Sequence, residues 1–126
     1  MLAQKPRLQV LLVDDEDSLR RALARTIDMA GFDVQAFASV EALMESGIPA
    51  RDAVLVLDVG LPGVGGVEFK QSLVEAGRDI PTIFITAHAA ADVSESLAAL
   101  SPVAVLYKPF NGSDLLNAIR QAATLN

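Results

Sequence analysis

The chain has no cysteine and no tryptophan, and only one tyrosine and one histidine in 126 residues. Without cysteine there are no disulfides and no thiolate metal sites, which fits a reducing compartment. Any metal ion must therefore be held by oxygen or by His88. Long apolar runs are also missing. No stretch approaches the roughly 18 residues that span a bilayer, and the opening MLAQKPRLQ lacks a signal-peptide pattern, so a soluble, cytoplasmic protein is expected. Positive charge is scarce: 10 basic residues against 16 acidic ones give a net charge of -6. No Lys/Arg cluster follows one face, so direct nucleic-acid binding by this chain is not expected.

Apolar residues are plentiful, at 52% of the chain. A domain near this length buries roughly two thirds of the surface its unfolded chain exposes. No linker, repeat or low-complexity stretch divides the sequence, and residues 1–126 read as a single domain. Five short apolar runs predict strands at Leu8–Val13, Asp33–Phe37, Val54–Leu57, Thr82–Ile85 and Val103–Tyr107. Helical patterns lie between and after them. Leu19, Ala22, Leu23, Ile27 and Ala30 share one face of the first helix, with Asp17 as candidate N-cap and Gly31 as stop. A short second helix, Val40–Glu45, follows Ser39. Phe69, Leu73 and Ala76 line a third, ended by Gly77. The fourth, Asp92–Leu100, has only Val93, Leu97 and Leu100 as large anchors and is expected to dock loosely. The last, Asp114–Ala123 behind Asn111, turns Leu115, Leu116, Ile119, Ala122 and Ala123 inward.

Strict alternation of strand and helix predicts an α/β fold with a parallel sheet covered on both faces. Only the second strand, DVQAF, carries polar residues within its run, which suits an edge. Right-handed crossovers then favour the flavodoxin-like doubly wound order 2-1-3-4-5, whose ligands bind beyond the carboxyl ends of the strands. The residues at those ends are Asp14 and Asp15 after the first strand, Asp58 after the third, Thr86 after the fourth and Lys108 after the fifth. Adjacent carboxylates disfavour each other's ionisation. Three carboxylates, one ammonium and one divalent cation sum to zero charge, and Mg²⁺ is the cation that prefers a few carboxylate oxygens together with phosphate. Such an edge suits phosphoryl transfer, with Asp58 as the nucleophile.

The stretches LLVDDED, LVLDVGLPGVGGVEF, TIFITAH and LYKPF, in this order and spacing, resemble the receiver domains of two-component response regulators over the whole chain. Pro62, Gly66 and Glu68 follow Asp58 in the family's usual pattern. The resemblance implies that Asp58 accepts a phosphoryl group from a sensor-kinase phosphohistidine or a phosphotransfer protein. It implies Mg²⁺ bound by Asp15, Asp58 and the Gly60 carbonyl, with Asp14 assisting through water. Lys108 would pair with the phosphoryl oxygens, Thr86 would report them, and Lys108-Pro109 matches the family's cis bond. The domain would be regulatory rather than an enzyme, assisting its own phosphorylation and dephosphorylation. Its output surface, or a homodimer, would form through helix 4, strand 5 and helix 5, without a membrane.

Three departures stand out. Ser101-Pro102 replaces the commoner Gly-Ala, Gly60 offers no side chain to shield a phosphoryl group, and Val105 replaces an aromatic three residues before Lys108. Alternation puts Val103, Val105 and Tyr107 on one face of the last strand, so Tyr107 is the ring left to report Thr86 movement.

Blander readings exist for each piece. Asp14 and Asp15 alone read more readily as a solvated turn, Thr86 as a strand residue, Lys108 as a loop charge and His88 as a solvated side chain. The acid at the end of the third strand tips the balance. A haloacid-dehalogenase-type phosphatase also uses a strand-end Asp, a hydroxyl and a Lys, but Asp15-Glu16-Asp17 leads to Leu19 and no acidic pair follows Lys108. A receiver-like binding module that is never phosphorylated would typically lack one site residue. Flavin binding is disfavoured by the acidic loop after the first strand, which repels phosphate.

Overall fold

A computed structural model describes residues 8–87 and 91–125. His88 lies outside the described residues, as does the side chain of Val93. Ten elements alternate along the chain: β1 (Gln9–Val13), α1 (Asp17–Met29), β2 (Asp33–Phe37), α2 (Val40–Ser46), β3 (Ala53–Asp58), α3 (Gly66–Glu75), β4 (Thr82–Thr86), α4 (Ala91–Ala98), β5 (Ala104–Tyr107) and α5 (Gly112–Ala123). All four strand pairings are parallel, in the order β2-β1-β3-β4-β5. This is the five-stranded, doubly wound arrangement the alternation predicts.

Pleating splits the core into two layers. Leu11 and Val13 of β1, with Leu55, Leu57 and Phe84, face Val40 and Leu43 of α2, Phe69 and Leu73 of α3, and Leu97 of α4. Val10, Leu12, Val54, Val56, Ile83 and Ile85 face Leu23 and Ile27 of α1 and Leu115, Ile119 and Ala122 of α5. The central strands β1, β3 and β4 are almost wholly buried, whereas β2 at the edge exposes Asp33, Gln35 and Ala36.

Local signals account for most helix ends. Ser39 caps α2, its Oγ accepting from the Ala42 N–H at 3.1 Å. The Asn111 N–H donates to the Asp114 carboxylate at the start of α5. Gly31 and Gly77, at φ of +95° and +74°, follow α1 and α3 in the left-handed conformation that glycine adopts without steric cost.

Five sequence expectations need correction. Ala22 is exposed, and Ala24 instead packs beside Leu23 and Ile27. Asp17 is the first residue of α1 rather than its cap; the cap position is Glu16, whose side chain makes no capping bond, and Asp17 is instead drawn to Arg20. Ala76 is the exposed C-cap of α3 and lines no face. Leu116 and Ala123 are only partly buried, the inner stripe of α5 being Leu115, Ala118, Ile119 and Ala122. Val103 precedes β5 and packs with Ala104 and Leu106 on the α1/α5 side, so strand alternation does not extend to it. Val105 lies on the other side, as expected.

Ser101 adopts φ +49°, a left-handed conformation that explains why glycine is at home at this turn. The Lys108-Pro109 peptide is cis.

Candidate functional site

Register aligns the carboxyl ends of the strands. Val13 pairs with both Phe37 and Leu57, Asp58 with Ile85, and Thr86 with Tyr107. The next residues out, Asp14 and Lys108, therefore join Asp58 and Thr86 along one edge. Carboxylate oxygens of Asp14, Asp15 and Asp58 lie within 4.8 Å of one another. Lys108 Nζ donates to Asp58 Oδ2 at 2.9 Å and stands 3.8 Å from Asp14 Oδ2. The Gly60 N–H donates to Asp58 Oδ1 at 2.8 Å. Asp58 thus has one oxygen held by the following loop and the other by a cation from β5.

Asp14 is fully buried. Its Oδ1 accepts the Glu16 N–H at 2.9 Å, while its Oδ2 has no hydrogen-bond partner. Burial raises the Asp14 pKa above its ordinary value; the Glu16 N–H and Lys108 oppose that, and the charges of Asp58 and Asp15 reinforce it. For Lys108, burial works to lower the pKa, but the hydrogen bond to Asp58 and the charges of Asp14, Asp58 and Glu16 outweigh it, leaving it raised. The edge therefore keeps its ammonium charged and holds one carboxylate at a cost. An orphaned, buried carboxylate oxygen facing two other carboxylates fits a divalent cation, and the oxygen-only donor set fits Mg²⁺ better than a softer metal.

Thr86 is buried at the end of β4, its carbonyl accepting the Lys108 N–H at 2.9 Å. All six residues singled out in the sequence thus belong to one strand edge or the loop directly after it. Gly66, already part of the sequence pattern after Asp58, and two residues the sequence did not single out shape this region or its supports. Gly66 opens α3 so close to Asp58 that a Cβ there would stand 2.7 Å from the Asp58 carbonyl oxygen. Arg20 of α1 donates to the Asp14 carbonyl at 2.8 Å. Lys70, at the other end of the sheet, is buried and donates to Asp79 Oδ1 at 2.5 Å and to the Ile80 carbonyl at 2.6 Å. Lys70 could have been found by its place on the stripe of Phe69 and Leu73.

Among the described residues no helix is long and apolar enough to cross a membrane. The sequence matches the response regulator receiver domain family over residues 10–120. Nodulation protein W of Bradyrhizobium diazoefficiens is 38% identical over 112 residues, which cover 87% of this chain and 48% of that protein. Transcriptional regulatory protein FixJ of Rhizobium meliloti is 36% identical over 116 residues, covering 90% of this chain and 56% of FixJ. The chain spans about half the length of these relatives. Among solved structures, that of FixJ-N has a TM-score of 0.85 at 32% identity, covering 95% of this chain and 96% of that one. The chemotaxis protein CheY4 of Vibrio cholerae has a TM-score of 0.82 at 26% identity, covering 93% and 99%. The sequence match begins inside β1 and ends inside α5, so every element takes part in it, and the chain belongs to the response regulator receiver domain family.

Proposed function

We propose that this single domain is a phosphoacceptor switch in which Asp58 takes a phosphoryl group from the phosphohistidine of a sensor kinase or phosphotransfer protein. The observation that carries this reading is the 2.9 Å pairing of Lys108 Nζ with Asp58 Oδ2 inside the three-carboxylate cluster. An Asp58 carboxylate oxygen attacks phosphorus, the P–N bond breaks, and the departing imidazole keeps the electron pair and takes a proton. Asp58 gives up its carboxylate charge in forming the O–P bond, balanced by the proton the imidazole takes from solvent, and the phosphoryl oxygens bring their own negative charge to the site. Lys108, held charged by its neighbours, follows it there. Asp15, Asp58 and the Gly60 carbonyl would hold Mg²⁺, with Asp14 acting through water. Bound there, the ion would neutralise charge on the transferring group. Thr86 presents its hydroxyl to the phosphoryl oxygens and passes the change towards α4, β5 and α5, the surface that meets an output partner or a second copy. Asp58 and its neighbours act only on the group Asp58 itself carries, which makes the domain regulatory, and its kinase partner places it in the cytoplasm. The regulator names of its relatives extend this reading to control of transcription.

Acetyl phosphate with Mg²⁺ tests the proposal directly. One phosphoryl group, acid-stable and base-labile, is expected on the wild-type chain and none on Asp58→Asn. Full labelling of that variant would remove Asp58 from its role.

A further inference from the structure

The turn between β1 and α1 must place two metal-seeking acids on a segment that carries four consecutive negative charges, Asp14 to Asp17. The Asp14 N–H is held by the Phe37 carbonyl at 3.1 Å, but the peptide that follows, between Asp14 and Asp15, needs a partner of its own. The cation closest along the chain is Arg20, one turn into α1, whose side chain is only 17% exposed. Its guanidinium forks. Nη1 donates to the backbone carbonyl of Asp14 at 2.8 Å, and Nη2 donates to Asp17 Oδ1 at 2.5 Å. The Arg20 N–H also donates to the Glu16 carbonyl at 2.9 Å, so the base of the fork is anchored in the first helical turn.

The Asp14 carbonyl and the Asp15 N–H belong to one rigid peptide plane. A donor on that carbonyl therefore sets the plane from which the Asp15 side chain springs. On the other side, the Asp14 carboxylate is tied by the Glu16 N–H through Oδ1, which leaves Oδ2 without a hydrogen bond, 3.8 Å from Lys108 Nζ. Asp14 is thus gripped at both its carbonyl and its carboxylate, and Asp15 inherits the result.

We infer that Arg20 is a positioning residue for the divalent-cation site, holding the Asp14-Asp15 peptide so that both carboxylates meet Asp58. The inference rests on the proposed metal-dependent phosphoryl transfer. Groups that orient metal ligands without touching the ion are typically worth about ten- to a hundredfold in affinity. Because Arg20 works through a main-chain carbonyl, the lower end is expected. The sign of the effect separates positioning from plain electrostatics. Arg20 is a positive charge close to a cation site, so removing it for charge reasons alone would tighten Mg²⁺ binding; removing a clamp weakens it.

The test is calorimetric titration of Mg²⁺ into the full chain and into Arg20→Met, which keeps an unbranched stem and loses both donors, with the melting temperature of each metal-free protein measured alongside. Mg²⁺ affinity about tenfold weaker than wild type in a folded Met variant is the expected result. Unchanged or tighter binding overturns the positioning role, and a lowered melting temperature with unchanged binding assigns Arg20 to stability alone. If the Met variant does not fold, Arg20→Lys decides, since it retains the charge but not the fork: weaker binding supports the clamp and wild-type binding refutes it. Absence of Mg²⁺ binding in the wild-type chain would instead sink the metal site itself, and this inference with it.

Discussion

At the scale of single residues, the acidic edge is a place where folding and function pull in opposite directions. Asp14 has no exposed surface and an oxygen without a hydrogen-bond partner, so its charged form is disfavoured in the metal-free protein. An acid whose folded pKa is raised contributes its full share of stability only below its ordinary value of 3.8, and that share is lost as pH rises through the folded pKa. Asp14→Asn is therefore expected to stabilise the metal-free protein near pH 7 by about 1–2 kcal/mol, with the gain fading as pH falls towards 3.8. Urea denaturation across that pH range without metal measures it, and a gain independent of pH would contradict the assigned cause. Adding Mg²⁺ should reverse the order of stability, because the wild-type chain then gains more from the ion. Among the described residues the ammonium at this edge is Lys108, 2.9 Å from Asp58 and 3.8 Å from Asp14, so Asp58 receives its hydrogen bond and Asp14 only its charge.

At the scale of elements, what the sequence made legible follows from what leaves a local signature. Apolar runs and left-handed glycines announce themselves, and so β1 to β4 and the ends of α1 and α3 lie within a residue of their expected bounds. The strand-end residues Asp58, Thr86 and Lys108 were legible for the same reason, since a strand that ends fixes where its last side chain stands. Contacts made across the chain left no such mark. The grip of Arg20 on Asp14 depends on the direction in which α1 leaves the sheet. The burial of Lys70 depends on Asp79 and Ile80 arriving beside it from the loop before β4. The docking of α3 against Asp58 depends on a hydrogen where any other residue has a carbon. Gly66→Ala would place that carbon 2.7 Å from a main-chain oxygen, which cannot swing aside as a side chain does. The start of α3 must move, with an expected loss of about 1–3 kcal/mol and slower labelling by acetyl phosphate. Stability and labelling both at wild-type levels would show that α3 docks more loosely than its geometry implies.

At the scale of the whole molecule, the proposed phosphorylation of Asp58 would have to act across β4 to reach β5 at the border of the sheet. Val105 faces the layer shared by Phe84, Leu97 and Leu100, and valine has one stiff rotamer with which to respond. Tyr107, paired with Thr86 across the strands and 38% exposed, has room to move. Phosphorylation is thus expected to reposition α4 and the Tyr107 face of β5. Hydrogen exchange with and without beryllofluoride should change chiefly between residues 87 and 107, and changes confined to α1 and α2 would place the switch elsewhere. The outer strands bear on how such a signal can leave the molecule. A sheet open at both sides invites another chain to add a strand, but here β5 is only four residues long. On the opposite side, β2 opens with a charged Asp33 and carries an exposed Gln35, with the small Ala36 as its exposed apolar residue. Neither border is a template for strand addition. A partner that docks on this fold would meet helices and strand faces rather than extend the sheet, and the sheet borders are guarded against pairing with copies of themselves.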